Sequence, residues 1–345
     1  MTRTTPPRPF DVEVLFPELA AYRGTTTRLH PRPGSPKASD SSVGGPMLWP
    51  AGEPWPVCAE THVRGQGRRP ADINRYRQVL TTAWARKENP GPTEEERALL
   101  AELHRERRLS EVSESDLLPM IGLAQLYRRD VPDLPAWRDG CDLLQVFWCP
   151  FSSHGPGRYE HGLHLHLRRR RSWEVGDVTA APPRPPVVGS DGFVPEPCAL
   201  HPEQVVGYPY AGLLPEALCA RIDAWDEARA AEADQRADEN AAGPVCYQYD
   251  LSIPPGWRVG GFASWHKTDP YPMDCRTCRT PMRPLLTIDS SEWDGGSGSW
   301  KPVEDRELLT HRDASPTQVT VGRFGELNVF VCPVDPDHPH RWSIQ

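Results

Sequence analysis

No stretch of this 345-residue chain is long and apolar enough to cross a bilayer, and Met1-Thr2-Arg3-Thr4-Thr5-Pro6-Pro7 leads into no apolar core of signal-peptide length. The expectation is a cytoplasmic protein that does not engage a membrane. Nor is there a Gly-x-Ser-x-Gly elbow, a His-Glu-x-x-His helix or a Gly-x-x-x-x-Gly-Lys loop, so the familiar signatures of serine hydrolases, zincin proteases and phosphate-loop enzymes are missing. Positive charge is in short supply. The net charge of −8 gives no general attraction for nucleic acid or anionic lipid. The hydrophobic fraction is only 38%, and 40 Pro with 27 Gly approach a disorder-prone composition. Twelve Trp argue the other way, because large aromatics are scarce in chains that never pack. Nine Cys, an odd number without an export signal, point to a reducing compartment with thiols or metal sites rather than to a disulfide framework.

What is present is one sentence written twice. Val43-Gly44-Gly45 with Trp49 returns as Val259-Gly260-Gly261 with Trp265, and Val146-Phe147-Trp148-Cys149-Pro150 returns as Val329-Phe330-Val331-Cys332-Pro333. Between those bookends each copy has a cysteine past the Trp (Cys58, Cys275) and a Met-x-x-Leu entering an apolar run (Met120 to Leu123, Met282 to Leu285). Landmarks repeated in order read as an internal duplication. The spacing predicts strands over 117–127, 142–147, 163–167, 247–253, 285–288 and 327–331. Thr93-Glu94-Glu95-Glu96 is a capping box for a helix running to about Arg108, with Leu99, Leu100 and Leu103 as its stripe. Leu214, Leu218, Ile222 and Trp225 recur at helical spacing. Strands do not alternate regularly with helices, so the fold class is α+β, two β-rich repeats packed together with long Pro/Gly-rich loops and a few helices. The expected organisation is a lead-in over 1–41, a first repeat over 42–180 with a charged helical insertion at 63–115, a linker and amphipathic helix over 181–244, and a second repeat over 245–345.

The chemistry concentrates in cysteine. Cys275-Arg276-Thr277-Cys278 is a C-x-x-C knuckle, and Cys332 closes the last long strand with His338 just beyond. Tetrahedral zinc takes four Cys/His ligands, commonly with one C-x-x-C holding half the sphere, so Cys275, Cys278, Cys332 and His338 are the candidate metal ligands. The alternative is a set of ordinary buried or loop thiols. Copy one offers only Cys58 and Cys149 at matching places and is not expected to complete the same sphere. His161, His164 and His166 read as a solvent-facing polar row, with Leu163, Leu165 and Leu167 taking the core face. Arg168 to Arg171 read as a solvated strand end, and as the best contact for an acidic protein partner. The Gly-Gly pairs read as tight turns. No pair of carboxylates stands out as a catalytic couple.

Ser42-Val43-Gly44-Gly45-Pro46, Trp55-Pro56, Cys58, Leu123-Ala124-Gln125-Leu126 and Leu144-Gln145-Val146-Phe147 resemble the YwqG-like family, a bacterial domain of unknown function. Gly260-Gly261, Trp265, Cys275-x-x-Cys278, Met282 and Val329-Phe330-Val331-Cys332-Pro333 resemble its C-terminal half. That family is similar in turn to eukaryotic programmed cell death protein 2, a chaperone of a small-subunit ribosomal protein, and some members sit beside polymorphic toxins as immunity proteins. The resemblance implies a non-enzymatic protein-binding module, an immunity protein or dedicated chaperone, with a protein as its partner and nucleic acid disfavoured. A metal-dependent enzyme, or a zinc-stabilised RNA-associated factor, is the alternative.

Overall fold

The apolar runs at 121–127, 143–148, 283–289 and 326–331 become four of the five longest strands, an interior pair in each sheet. The structure is a computed structural model and describes residues 2–345 apart from 61–66, 106–115, 153, 155–161, 179–181, 236–242 and 309. In chain order the first strands are β1 (Gly24–Arg28), β2 (Arg32–Pro33), β3 (Ser42–Val43), β4 (Val57–Cys58), β5 (Leu118–Pro119), β6 (Ile121–Tyr127), β7 (Leu143–Trp148) and β8 (Leu165–Arg170). They are followed by β9 (Cys198–Ala199), β10 (Glu203–Gly207), β11 (Arg258–Gly260), β12 (Arg283–Asp289), β13 (Glu326–Val331) and β14 (Arg341–Ile344). One antiparallel sheet runs β2-β9-β3-β6-β7-β8, a second runs β10-β1-β11-β12-β13-β14, and β4 pairs with β5 as a short ribbon. The fold is α+β.

The two sheets match pairing for pairing. Ser42 and Val43 face Gln125 and Ala124, as Arg258 and Val259 face Thr287 and Leu286. The β6–β7 ladder breaks register between Gly122 and Ala124, and the β12–β13 ladder breaks between Pro284 and Leu286, the corresponding step two residues after each Met. A bulge there re-aims one side chain and tightens the twist. One apolar core lies across both sheets, with Val43, Leu123, Val146 and Trp148 packed together with Val259, Leu286, Leu327 and Val329. Each sheet also has a smaller cluster of its own. Trp49, Cys58, Met120, Phe147 and Cys149 gather on the first, and Trp265, Cys275, Met282, Phe330 and Cys332 on the second.

The Gly-Gly pairs are turns of positive φ, at +64° for Gly44 and +69° for Gly261. A Cβ at Gly261 would stand 2.6 Å from Thr26 Cβ, so glycine is required there by space as well as by backbone angle, while at Gly45 space alone requires it, since a Cβ would stand 2.5 Å from Ser42 Oγ.

Three elements differ from the sequence expectation. The segment read as a lead-in supplies β1, which is hydrogen-bonded between β10 and β11 in the second sheet. The segment read as a linker supplies β10. Neither carries an apolar run, because Thr26, Thr27 and Arg28 are buried by polar bonding rather than by hydrophobicity. Tyr247–Ser252 is a π-helical turn, not a strand. Tyr247 and Leu251 both enter the cluster of Val12, Phe16, Leu218 and Ile222, while Tyr249, which a strand would place on that same face, is 46% exposed, so the shared face is that of a helical turn.

The charged insertion contains two helices, α1 (Pro70–Trp84) and α2 (Glu94–His104). The Thr93/Glu96 capping box is formed. The helix ends at His104, and positions 106–108 of the expected span lie outside the described residues. Ile73 packs with Val188, Val194 and Ile121, which docks the insertion on the first sheet. A third long helix, α3 (Glu216–Gln235), buries Leu218 and Ile222, with Leu214 and Trp225 in the same cluster as the stripe predicts. Among the described residues no helix is long and apolar enough to cross a membrane.

Candidate metal centre

The C-x-x-C segment is the tip of a tight hairpin. Met282 N–H donates to Met273 O (2.8 Å), Cys275 N–H to Thr280 O (2.9 Å) and Arg279 N–H to Cys275 O (2.9 Å). Arg279 takes φ +63°, the left-handed turn that curls the chain past the second cysteine and aims both thiols inward. Cys332 follows the end of β13, and the Asp335 turn brings His338 back over the hairpin, with Asp337 N–H donating to Asp335 Oδ1 (2.9 Å). The ligand atoms of Cys275, Cys278, Cys332 and His338 all lie within 4.8 Å of one another.

The spacing suits a tetrahedral ion. Bonds of about 2.3 Å to sulfur and 2.1 Å to nitrogen imply S···S near about 3.8 Å and S···N near about 3.5 Å. Cys278 Sγ is 3.4 Å from Cys332 Sγ, and Cys275 Sγ is 3.4 Å from His338 Nδ1. His338 Nε2 stands 3.7 Å from Asp335 Oδ2, the carboxylate-behind-imidazole arrangement that orients metal-binding histidines. Two of the three thiols are prepared for ionisation. The side chain and backbone N–H of Thr280 hold Cys278 down to about 6, and the Cys278 N–H lowers Cys275, while burial pushes Cys332 up. All four predicted ligands are thus brought together as a Cys/His cluster that can hold a metal.

Copy one departs from expectation. His164 is not part of a solvent-facing row: its Nδ1 lies 3.0 Å from Cys58 Sγ, and His154 Nε2 lies 3.6 Å from the same sulfur. These three also form a cluster within 4.8 Å. His166 is exposed, as the solvent-facing reading expects, with its ring 6.1 Å from Phe147, and desolvation lowers its pKa. His161 lies outside the described residues. The sequence hid this grouping because Cys58 and His164 are 106 positions apart, joined only by the pairing of β4 with β5 and of β7 with β8.

The arginine run is neutralised from within the chain. Arg168 and Arg170 both meet Glu53 (3.2 and 2.8 Å), Arg169 meets Asp139 and Asp337, and Arg171 meets Glu174 (2.8 Å). The Arg170 hydrogen bond holds the Glu53 carboxyl below the usual range. Elsewhere, a cleft of about 1090 Å³ lies between α1 and the first sheet, walled by Pro36, Met47, Trp55, Ile121, Pro183 and Pro195. Among the described residues no histidine or cysteine lines it.

Sequence reasoning also missed a buried ionic network. Arg258 is fully buried and pairs with Glu326 (3.2 Å), which accepts from Asn328 (3.0 Å). Buried His30 lies between Glu203 (3.3 Å) and Glu292 (3.6 Å), and Arg32 reaches Asp305. Beside them burial, reinforced by the Glu326 charge, raises half-buried Asp289 to about 7. An unfolded Asp titrates near about 3.9, so the folded state alone holds this proton between those values. Its stabilising contribution is complete below pH about 4 and is lost as pH rises through about 7. Asp289→Asn should therefore gain in stability relative to wild type on going from pH 4.5 to 7.5. Urea midpoints at the two pH values test this, and a constant difference would contradict it. No family model matches the chain, and no curated protein matches it.

Proposed function

We propose that this chain is a non-catalytic protein-binding module. In this reading Cys275, Cys278, Cys332 and His338 hold a structural zinc, and the proline-walled cleft receives an extended segment of a partner protein. The observation that carries the reading is the closure of the cluster. Four protein ligands at tetrahedral spacing fill the sphere of zinc and leave no position for substrate, which is the structural rather than the catalytic pattern. The cleft supports the second half. Its walls are rich in proline and apolar side chains, and an extended peptide covers such a groove without needing a charged anchor.

The resemblance to the YwqG-like family favours a partner of the immunity or dedicated-chaperone kind. A metal-dependent enzyme would need an open coordination position, which the four-ligand centre does not offer. An RNA-associated factor would need free cationic charge, and Arg168 to Arg171 are already paired with carboxylates.

Affinity capture from the native host should enrich one stoichiometric protein. A charged pair in the cleft, Gln78→Glu with Thr82→Glu, should weaken that capture about tenfold or more, equivalent to about 1.4 kcal/mol, with the zinc content unchanged. Empty capture by wild type, or capture indifferent to the cleft variant, would sink the reading.

A further inference from the structure

We propose that Cys58, His154 and His164 form a second zinc site, in the first sheet's half of the molecule. The inference goes beyond the reading above and uses none of its ligands. Three independent observations carry it.

The first is spacing. Cys58 Sγ lies 3.6 Å from His154 Nε2 and 3.0 Å from His164 Nδ1, bracketing the about 3.5 Å that sulfur and nitrogen keep on a tetrahedral zinc. The two imidazole rings stand nearly perpendicular, at 88° with centroids 5.6 Å apart, so they approach the sulfur from different sides instead of stacking beside it.

The second is orientation from behind. His154 Nδ1 lies 2.6 Å from the carbonyl oxygen of Gly162, to which it donates. That bond fixes the tautomer with the lone pair on Nε2, the nitrogen that faces Cys58. His164 is anchored through its backbone, where its carbonyl accepts from Cys149 N–H (2.9 Å). Its Nδ1 faces the same sulfur. A histidine held by a carbonyl on one nitrogen and turned to a thiol with the other is built as a ligand, not as a surface residue.

The third is place in the fold. Cys58 belongs to the cluster of Trp49, Met120, Phe147 and Cys149, as Cys275 belongs to that of Trp265, Met282, Phe330 and Cys332. His154 follows Cys149 at nearly the interval by which His338 follows Cys332. Each sheet therefore holds a Cys/His group at the same margin. The composition differs, with one thiolate and two imidazoles in the first against three thiolates and one imidazole in the second. As zinc binds, Cys58 releases its thiol proton to solvent and the metal takes the sulfur lone pair. Fewer thiolates make this the weaker and more exchangeable of the two ions.

Elemental analysis of the full chain, reconstituted with zinc and desalted, should give two zinc per chain. Cys58→Ser with His164→Ala should give one, and Cys275→Ser with Cys278→Ser should also give one. Cobalt titration of metal-free wild type keeps the proposal testable if a variant fails to fold. The sulfur-to-cobalt absorption should rise through two equivalents, the second adding intensity in proportion to one thiolate against three. Saturation at one equivalent that the Cys278 variant abolishes would overturn the second site and leave the first. Saturation at one equivalent that the Cys58 variant abolishes would overturn the structural-zinc reading and leave this one. No metal in either experiment would overturn both.

Discussion

Stripping zinc from the Cys275–Cys278–Cys332–His338 centre is expected to lower the thermal midpoint by about 6 °C. The centre ties the 273–282 hairpin to the chain beyond β13, and Cys278 and Cys332 are separated by 54 positions. A cross-link closing a loop of that length removes unfolded-state entropy worth about 4 kcal/mol. The same figure follows from mass action for a ligand held at about a thousand times its dissociation constant. Over this many residues, at about 2.1 cal/mol/K each, the loss converts to the stated shift. Calorimetry with and without a strong chelator measures it. Cys278→Ser should reproduce the loss without chelator, because a hydroxyl is a poor zinc ligand. A midpoint indifferent to chelation would mean that the cluster is a group of neighbouring thiols.

The second large effect belongs to the buried ion pair. Arg258→Ala should destabilise the protein by about 3–5 kcal/mol, since it leaves Glu326 buried without its counter-charge. Arg258 and burial act in opposite directions on Glu326, and in wild type the carboxyl stays below its usual range. With the guanidinium gone, burial pushes Glu326 upward. The variant can relieve its unpaired charge by taking a proton, so its deficit should shrink as pH falls toward 4.5 and be largest near neutrality. Arg258→Met with Glu326→Met should recover most of the loss, because two apolar side chains need no desolvation of charge. Denaturant unfolding with an unchanged slope measures both variants. A deficit under about 1 kcal/mol for Arg258→Ala would show that Glu326 finds another partner.

Local patterns carried further in this chain than its composition promised. The apolar runs at 121–127 and 326–331, the Thr93 capping box and the Leu218/Ile222 stripe are one-dimensional signals, and each became the element its pattern required. The Cys/His cluster was legible for the same reason. A C-x-x-C brings two ligands together by chain geometry alone, and a strand-end Cys followed shortly by His supplies the rest. Its closure was an expectation only the fold could test, because the hairpin and the β13 end are far apart in sequence.

What stayed hidden has one physical cause. Arg28, Arg32, Arg258, Glu292, Asp305 and Glu326 look like surface charge in a sequence, and burial becomes tolerable only when the partner arrives from another strand. The strand β1 lacks an apolar run because its neighbours β10 and β11, not its own side chains, make it interior, and β10 lacks one because it is an edge strand, only partly buried. Tyr247–Ser252 alternates like a strand, yet Tyr247 and Leu251 enter one apolar cluster while Tyr249 between them faces solvent. His164 sits among alternating leucines and would face water if β4 did not carry Cys58 to it. Hydrophobic period, capping and close ligand spacing are properties of neighbouring residues, and the sequence by itself determined those. Burial of charge, helix in place of strand, and the meeting of Cys58 with two histidines depend on contacts between positions tens to hundreds apart, and only the tertiary structure decided them.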